Sequence, residues 1–246
     1  MEDNGKKRCV IVNADDFGQA PSVNRGIIEA HHRGIVTSAS LMVRWPAAAE
    51  AARYAREHSC LSLGLHFDLW EWTCRQGEWV PLYEVITEDD WKAAAREASR
   101  QLTAFRRLTR KDPTHLDSHQ HAHRRASLSP IFTEISAELD VPLRSFSPRI
   151  RYCGDFYGQS DDGRPCPDLI SVTHLTKMLG ELPPGFTELG CHPGYADGLR
   201  STYRCERIKE VKTLCDSKVR RAVGDMGIKL CSFRDEAAAR VSGGFQ

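Results

Sequence analysis

The sequence has almost no excess of one charge, since 34 lysine and arginine residues face 33 aspartate and glutamate residues. A strong positive excess is typical of proteins that bind nucleic acid or anionic membranes, so neither partner is expected. The chain also lacks an apolar run near the ~20 residues that cross a bilayer. Its first residues, MEDNGKKRCVIV, contain no signal-peptide core followed by a cleavage site. These absences predict a cytoplasmic protein.

None of the nine cysteines forms a C-x-x-C pair, and their odd number and wide spacing argue against a zinc–thiolate site. In a cytosolic chain they are expected to be reduced, several of them in the core. No repeat, low-complexity tract or linker divides the 246 residues, of which 41% are hydrophobic and 27% charged. We therefore expect one globular domain over residues 1–246.

What the sequence does contain is a repeated alternation of strand and helix patterns. Strands are predicted at 9–15, 35–43, 61–67, 113–119, 141–146, 186–192 and 228–233. Helices are predicted at 22–34, 46–58, 87–108 with Thr87 as N-cap, 129–139, about 171–182 and 204–223. Such alternation indicates an α/β fold with parallel strands. About seven units suit a closed or nearly closed (β/α) barrel. An open doubly wound sheet is the alternative, although no Gly-rich dinucleotide motif supports it.

Polar residues occur at or near the ends of several predicted strands. They are Asp15, Asp16, His66, His119, Arg144 and His192. In a (β/α) barrel the carboxyl ends of the strands meet on one rim, where the chemistry takes place. The barrel hypothesis therefore predicts that these dispersed residues converge on one site.

Asp15 and Asp16 point to opposite faces if the first strand is regular, because successive strand residues alternate. Both can reach one site where the strand breaks, and Phe17-Gly18 is a candidate break. One acid could then bind a metal while the other acts as a base. The pair also fits a solvated turn or a helix cap. His66, between two apolar residues, also fits a hydrogen-bonded core histidine.

The segment HQHAH, residues 119–123, leaves two geometries open. If the strand continued, Asp117, His119, His121 and His123 would share one face. If a helix began near Ser118, His119 and His123 would pair at i, i+4. Only one of these histidines need be a ligand, and the spacing does not choose it. Two histidines and one aspartate would form a three-ligand set with open positions for water and substrate.

At these residues the sequence resembles the YdjC-like carbohydrate deacetylases, which include the chitooligosaccharide deacetylases. The resemblance lies in VNADDFG, GIIEAHHRGIVTSASLMV, GLHFDL, PTHLDSHQHAH and CHPGY, in this order over about residues 8–235. It implies a distorted (β/α) barrel of the TIM type. It also implies a divalent-metal-dependent hydrolase that removes acetyl groups from N-acetylated mono- or oligosaccharides.

Carried over by position, the resemblance implies that Asp16, His66 and His119 bind the metal, either Mg²⁺ or Zn²⁺. It assigns Asp15 as the base and His192 as the general acid. We expect His192 to be protonated near neutral pH, because a modest environmental shift from the unperturbed histidine pKa of ~6.5 is enough for that.

The segment 66–85, HFDLWEWTCRQGEWVPLYEV, departs from the chitooligosaccharide-specific members, which leaves the substrate open. Trp70, Trp72 and Trp79 could form a platform for a sugar ring or simply pack the loop. Two other function classes also stay open. One is another metal-dependent hydrolase of a sugar or phosphoester, or a glycosidase with paired carboxylates. The other is a non-catalytic sugar-binding barrel, which would need neither Asp15 nor His192. A homo-oligomer is possible.

Overall fold

Strand β1 (Arg8–Phe17) lies at the centre of the main sheet. The computed structural model describes residues 7–75, 77–199 and 201–242. The strand is buried from Cys9 to its end. Val10, Val12 and Ala14 face the main core, whereas Cys9 and Ile11 face a smaller second cluster. A strand covered on both faces is typical of a parallel sheet wrapped by helices.

Strands and helices alternate along the rest of the chain. After β1 come α1 (Pro21–Arg33), β2 (Ser38–Leu41), α2 (Ala48–Glu57), β3 (Ser62–Phe67), β4 (Trp70–Arg75), β5 (Glu78–Glu84), α3 (Trp91–Thr109), β6 (Leu116–Ser118), α4 (Ser129–Leu139), β7 (Ile150–Cys153), α5 (Val172–Glu181), β8 (Gly185–Cys191), α6 (Cys205–Leu214), α7 (Ser217–Asp225), β9 (Lys229–Cys231) and α8 (Phe233–Val241). Short 3₁₀ helices span His119–Arg124 and Pro167–Ile170. None of the helices described is both long and apolar enough to cross a bilayer.

The main sheet is seven-stranded, and its strands pair in parallel. The order is β6-β3-β2-β1-β8-β7, and β9 lies beside the first half of β1. Leu143 adds one parallel bridge to Leu116, on β6. Within the described residues, no strand pairing joins Leu143 to β7, so the barrel wall stays open there. The structure confirms the α/β class and a distorted (β/α) barrel whose strands end on one rim.

Helix α1 shows how the helices hold this rim in place. Pro21 starts the helix at a position where a missing N–H costs nothing. Val23, Ile27 and Ala30 are fully buried along one face, and burying a large aliphatic side chain contributes about 1.5–3 kcal/mol. A Cβ on Gly26 would lie 2.4 Å from the Cα of Gly194, so the loop after β8 packs directly on α1. This contact fixes the backbone that follows His192.

The predicted fifth strand at 141–146 is wrong. Only Leu143 makes a bridge, and the chain then turns through Ser145, whose φ is +66°. Pro142 contributes to the failure, because proline cannot donate a hydrogen bond to a strand ladder. The strand next to β8 is instead β7 (Ile150–Cys153), which pairs in parallel with it.

Two predicted helices have different bounds in the structure. The segment 204–223 is two helices, because α6 ends at Leu214 and Asp216 caps α7 by accepting a hydrogen bond from the Lys218 amide. Helix α3 begins at Trp91 rather than near Thr87, and the Asp90 carboxylate caps it by accepting from the Ala93 amide. Side-chain caps decide both boundaries.

Residues 70–84, where the sequence predicts neither a strand nor a helix, form an antiparallel hairpin of β4 and β5. Gly77 at its tip has a φ of +84°, a conformation that suits glycine in tight turns. The register shifts between Glu71 and Trp72, which marks a β-bulge. Bulges redirect the side chains next to them.

Candidate active site

The two adjacent acids of β1 both face the interior of the rim. The pairing of β1 with β2 is irregular between Ala14 and Phe17, and Asp16 has a φ of +67°. Aspartate tolerates this left-handed conformation better than most residues. The irregularity of β1 thus lies at Asp15-Asp16, just before the expected break at Phe17-Gly18, and the strand continues to Phe17. Asp15 and Asp16 are 2% and 0% exposed, so each carboxylate needs a buried partner.

Asp16 lies beside both histidines predicted as its co-ligands. Its Oδ1 atom is 2.9 Å from His119 Nδ1 and 3.2 Å from His66 Nε2. One donor atom from each of the three residues lies within 4.8 Å of the others, a grouping that can hold a metal ion. Apart from this approach to Asp16, the buried His66 Nε2 atom makes no hydrogen bond to any of the residues described. The sequence-predicted ligand set is therefore brought together.

The two imidazoles are held as cations when no metal is present. Burial favours their neutral forms, but Asp117 outweighs it and raises the pKa of His66 to about 9. Asp16 likewise outweighs burial and raises the pKa of His119 well above its usual value. Burial raises the pKa of Asp16, but His119 and Arg207 lower it well below its usual value. The group is thus a carboxylate with two imidazolium rings around it.

Asp15 is bound by an arginine rather than by histidines. Arg144 donates to its two carboxylate oxygens at 2.6 and 2.7 Å. The same guanidinium lies 2.8 Å from Asp117 and 2.6 Å from Glu188, and its side chain is 1% exposed. Burial would raise the pKa of Asp15, but Arg144 outweighs it and the pKa lies below its usual value. Asp15, His66 and Asp117 form a second grouping with metal-site spacing, but Arg144 already pairs with both of its carboxylates.

His192 follows β8 and faces Asp15 across the site. Its Nε2 atom is 3.7 Å from Asp15 Oδ2, and its ring meets Tyr157 and Tyr203 edge-on at 5.4 and 5.6 Å. Burial lowers the pKa of His192 to about 4. The expectation of a protonated imidazole near neutral pH is therefore wrong for the metal-free protein, in which this ring is neutral. Its Nδ1 atom is buried and makes no hydrogen bond within the described part of the chain.

These groups line a cavity of about 760 Å³ with an aromatic wall. Its polar lining includes Asp15, Asp16, His66, His119 and His192, and its aromatic lining includes Trp70, Trp72, Trp79, Tyr152, Tyr157 and Tyr203. A cavity of this size with a few convergent polar groups is typical of small-molecule sites.

A comparison with known families identifies the origin of this arrangement. The family described as YdjC-like protein matches residues 9–225. The chain belongs to the YdjC-like family. Among its relatives, the carbohydrate deacetylase of Geobacillus stearothermophilus is 31% identical and covers 93% of this chain and 98% of the relative. The chitooligosaccharide deacetylase of Salmonella schwarzengrund (strain CVM19633) is 28% identical, covering 93% and 99%. The family predicted from the motifs is confirmed.

Solved structures share the fold of this YdjC-like protein. A candidate cellobiose-phosphate cleavage protein from Enterococcus faecalis V583 superposes with a TM-score of 0.77 at 26% identity, covering 94% of this chain and 99% of the other. A family 4 carbohydrate esterase from Streptomyces lividans superposes with a TM-score of 0.52 at 12% identity, covering 93% and 92%. The second likeness concerns the fold alone.

The histidine-rich segment of this YdjC-like chain follows neither expected geometry. It is a 3₁₀ turn in which Gln120 and His121 have φ values of 47° and 54°. This kink sends only His119 toward Asp16. His123 Nδ1 lies 2.6 Å from the Ser118 hydroxyl, and His121 packs edge-on against Tyr152. Burial lowers the pKa of His121 to about 3 and that of His123 to about 4.

The three tryptophans divide between the two expected roles. Trp70 is 2% exposed and packs in the core, although it also touches the cavity. Trp79 is 48% exposed and lies at the cavity wall near the tip of the hairpin. Trp72 is half-buried, and its backbone N–H donates to Gln120 Oε1 at 2.8 Å. Loop packing and an accessible aromatic surface are therefore both present.

Sequence reasoning missed several residues of this YdjC-like site. Arg207 on α6 is 1% exposed and donates to Asp16 Oδ2 at 2.6 Å. Glu71 on β4 is 4% exposed, and its Oε2 atom lies 3.7 Å from His119 Nε2. Glu188 on β8 pairs with Arg144. An arginine within a helix pattern gives no sign of its burial, so Arg207 had no sequence signal. Glu188, inside the apolar run of β8, did have one.

Proposed function

We propose that this chain is a metal-dependent carbohydrate deacetylase that hydrolyses the acetamide of N-acetylated mono- or oligosaccharides. The observation that carries the proposal is the division between the two adjacent carboxylates. Asp16 lies with two imidazoles, whereas Asp15 lies with Arg144 and faces His192. A metal-assisted amide hydrolysis needs both a ligand set and a separate base. The names of the relatives, carbohydrate deacetylase and chitooligosaccharide deacetylase, support the same reaction.

The residues fit a divalent ion. Among the described residues, His66 Nε2 is a buried nitrogen that makes no hydrogen bond, and it lies next to Asp16 and His119. We propose that these three residues hold Zn²⁺ or Mg²⁺, and two imidazole ligands favour Zn²⁺. Such an ion, when bound, acidifies a water molecule and polarises a carbonyl group. Arg207 offsets part of the negative charge of Asp16 and fixes its second oxygen.

Asp15 is suited to take the proton of the attacking water. Its low pKa keeps it ionised at neutral pH, and Arg144 and Asn13 orient its oxygens through hydrogen bonds of 2.6–2.9 Å. As the water oxygen bonds to the acetyl carbon, one proton passes to Asp15. The C–N bond then breaks and releases acetate and the free amine. General base catalysis of this kind contributes ~10²–10⁴-fold to the rate.

His192 is suited to deliver that same proton to the leaving nitrogen. A neutral imidazole cannot donate a proton as a cationic acid, but it can relay one. Its Nε2 atom is 3.7 Å from Asp15, a distance that a small movement closes to a hydrogen bond. We propose that the proton taken by Asp15 reaches the amine through His192. The role as proton donor is thus kept, and the resting protonation state differs from the expected one.

A substrate panel tests the proposal. The protein is incubated with N-acetylglucosamine, N-acetylated oligosaccharides, aryl phosphates and a cellobiose phosphate, and acetate, amine, phosphate and reducing sugar are measured. We expect equal amounts of acetate and amine from the N-acetylated sugars, and no acetate after EDTA treatment. Release of phosphate or of new reducing ends without acetate would contradict the proposal. Sugar binding without any product would show a binding protein instead.

A further inference from the structure

In each histidine of the candidate metal site, the ring nitrogen that points away from Asp16 lies near a second carboxylate. His66 directs Nε2 toward Asp16, and its Nδ1 lies 2.7 Å from Asp117 Oδ1. His119 directs Nδ1 toward Asp16, and its Nε2 lies 3.7 Å from Glu71 Oε2. Histidines that bind metals ordinarily donate their second ring N–H to a carboxylate, which fixes the tautomer and the ring orientation.

Glu71 reaches this position because of the hairpin. The β4–β5 register shifts after Glu71, because Leu82 is an extra residue on β5, and Glu71 is 4% exposed although it lies outside the main sheet. Buried carboxylates are costly unless they are paired. Among the contacts described, Glu71 has no arginine or lysine within ion-pair distance; its neighbours are His119 and the amide of Gln19 at 3.4 Å.

A chain of contacts connects Glu71 with two of the proposed ligands, Asp16 and His119. Gln19 donates from Nε2 to Glu71, and its Oε1 lies 3.5 Å from Arg207 Nη2. The same Nη2 donates to Asp16 Oδ2 at 2.6 Å. Asp16 Oδ1 in turn contacts His119. Glu71 is therefore connected to Asp16 through Gln19 and Arg207, and on the other side it lies near His119 Nε2, a buried atom that makes no hydrogen bond among the described residues.

We propose that Glu71 is the positioning carboxylate of His119, so that His119 binds the metal through Nδ1 and donates its Nε2–H to Glu71. The inference rests on the metal site of the proposed function. It gives the hairpin a second role beside its tryptophans, because the same element that forms the cavity wall then orients a ligand. Loss of such an outer carboxylate typically weakens metal binding ~10–100-fold.

The first test compares Glu71→Gln with Glu78→Gln. Glu78 is an exposed residue of the same hairpin, so it is a matched control. Zn²⁺ affinity is measured by competition with a chromogenic chelator, and far-ultraviolet circular dichroism checks the fold. We expect Glu71→Gln to bind Zn²⁺ ~10–100-fold more weakly and Glu78→Gln to bind it as the unaltered protein does. Equal affinity of all three proteins would overturn the proposal.

The second test needs no substitution. Long-range ¹H–¹⁵N correlation spectra of the zinc-loaded, ¹⁵N-histidine-labelled protein identify which nitrogen of His119 carries hydrogen. We expect hydrogen on Nε2 and zinc on Nδ1. The reverse tautomer would overturn the proposal even if Glu71→Gln failed to fold. Neither test measures acetate, so failure of the deacetylase proposal in the substrate panel is distinguishable from failure of this one.

Discussion

Two neighbouring carboxylates have different proposed roles: Asp16 binds the metal, and Asp15 accepts the proton. The left-handed backbone at Asp16 turns both side chains inward. Arg144 then donates to Asp15 and Arg207 donates to Asp16, so the two carboxylates have different surroundings. Removing one partner of a buried ion pair leaves an uncompensated charge, which is costly. The arginines therefore do more than neutralise charge, because each holds one acid in its own position.

The first prediction concerns Asp15→Asn and Asp16→Asn, two isosteric changes at adjacent positions. Asp15→Asn should bind Zn²⁺ almost normally but lose about 10²–10⁴-fold in kcat, because it cannot accept the proton. Asp16→Asn should lose metal affinity as well. Calorimetric metal titration and acetate release measure the two effects. Identical behaviour of the two variants would refute the division of labour.

The second prediction concerns His192→Ala. A leaving amine must be protonated as the C–N bond breaks, whereas an activated ester releases a weakly basic phenolate. The variant should therefore lose far more kcat/KM on an N-acetyl sugar than on p-nitrophenyl acetate, with unchanged metal content. Acetate and nitrophenol release measured on the same preparations give the two losses. Equal losses would mean that His192 does not serve the leaving nitrogen.

At the scale of elements, strand ends were easier to predict than the elements between them. The apolar runs of β1, β3 and β8 placed Asp15, Asp16, His66 and His192 on one rim, as parallel pairing requires. The hairpin was missed because its alternation is short and mixed with glycine and proline. Arg207 and Glu71 were missed because both are buried by contacts with distant parts of the chain, and such contacts leave no local sequence pattern.

The hairpin makes a third prediction, about substrate length. Trp79 is exposed on the cavity wall, so its ring can lie against a sugar unit beyond the reacting one. Trp79→Ala should raise KM about two- to tenfold for N-acetylated oligosaccharides, with little change for the monosaccharide, since one ring contact contributes about 0.5–1.5 kcal/mol. The control is Trp91→Ala, because Trp91 is 55% exposed on α3 and does not line this cavity. Equal KM changes in both variants would contradict the platform.

At the scale of the whole molecule, the site couples metal binding to pH. The pKa of His66 is raised to about 9, and that of His119 lies well above its usual value. Both rings are therefore imidazolium cations at pH 7 when no metal is bound. Ligation requires neutral imidazole, so metal binding must release these protons. Affinity should therefore fall as the pH falls, and the competition at His66 should vanish only above pH 9.

This fourth prediction is checked by calorimetry of Zn²⁺ binding in buffers of different ionisation enthalpy. At pH 7 the buffer dependence should correspond to release of about two protons, one from each ring. A binding enthalpy that did not vary with the buffer would contradict the raised pKa values.

Acetate release should require one metal ion at Asp16, His66 and His119. The most direct measurement strips the protein with EDTA, removes the chelator, and follows acetate release from an N-acetylated oligosaccharide as Zn²⁺ or Mg²⁺ is added back. We predict no acetate release without metal. The rate should then rise with added ion and level off at about one ion per chain, with equal amounts of amine and acetate. Undiminished acetate release by the stripped protein would contradict this prediction.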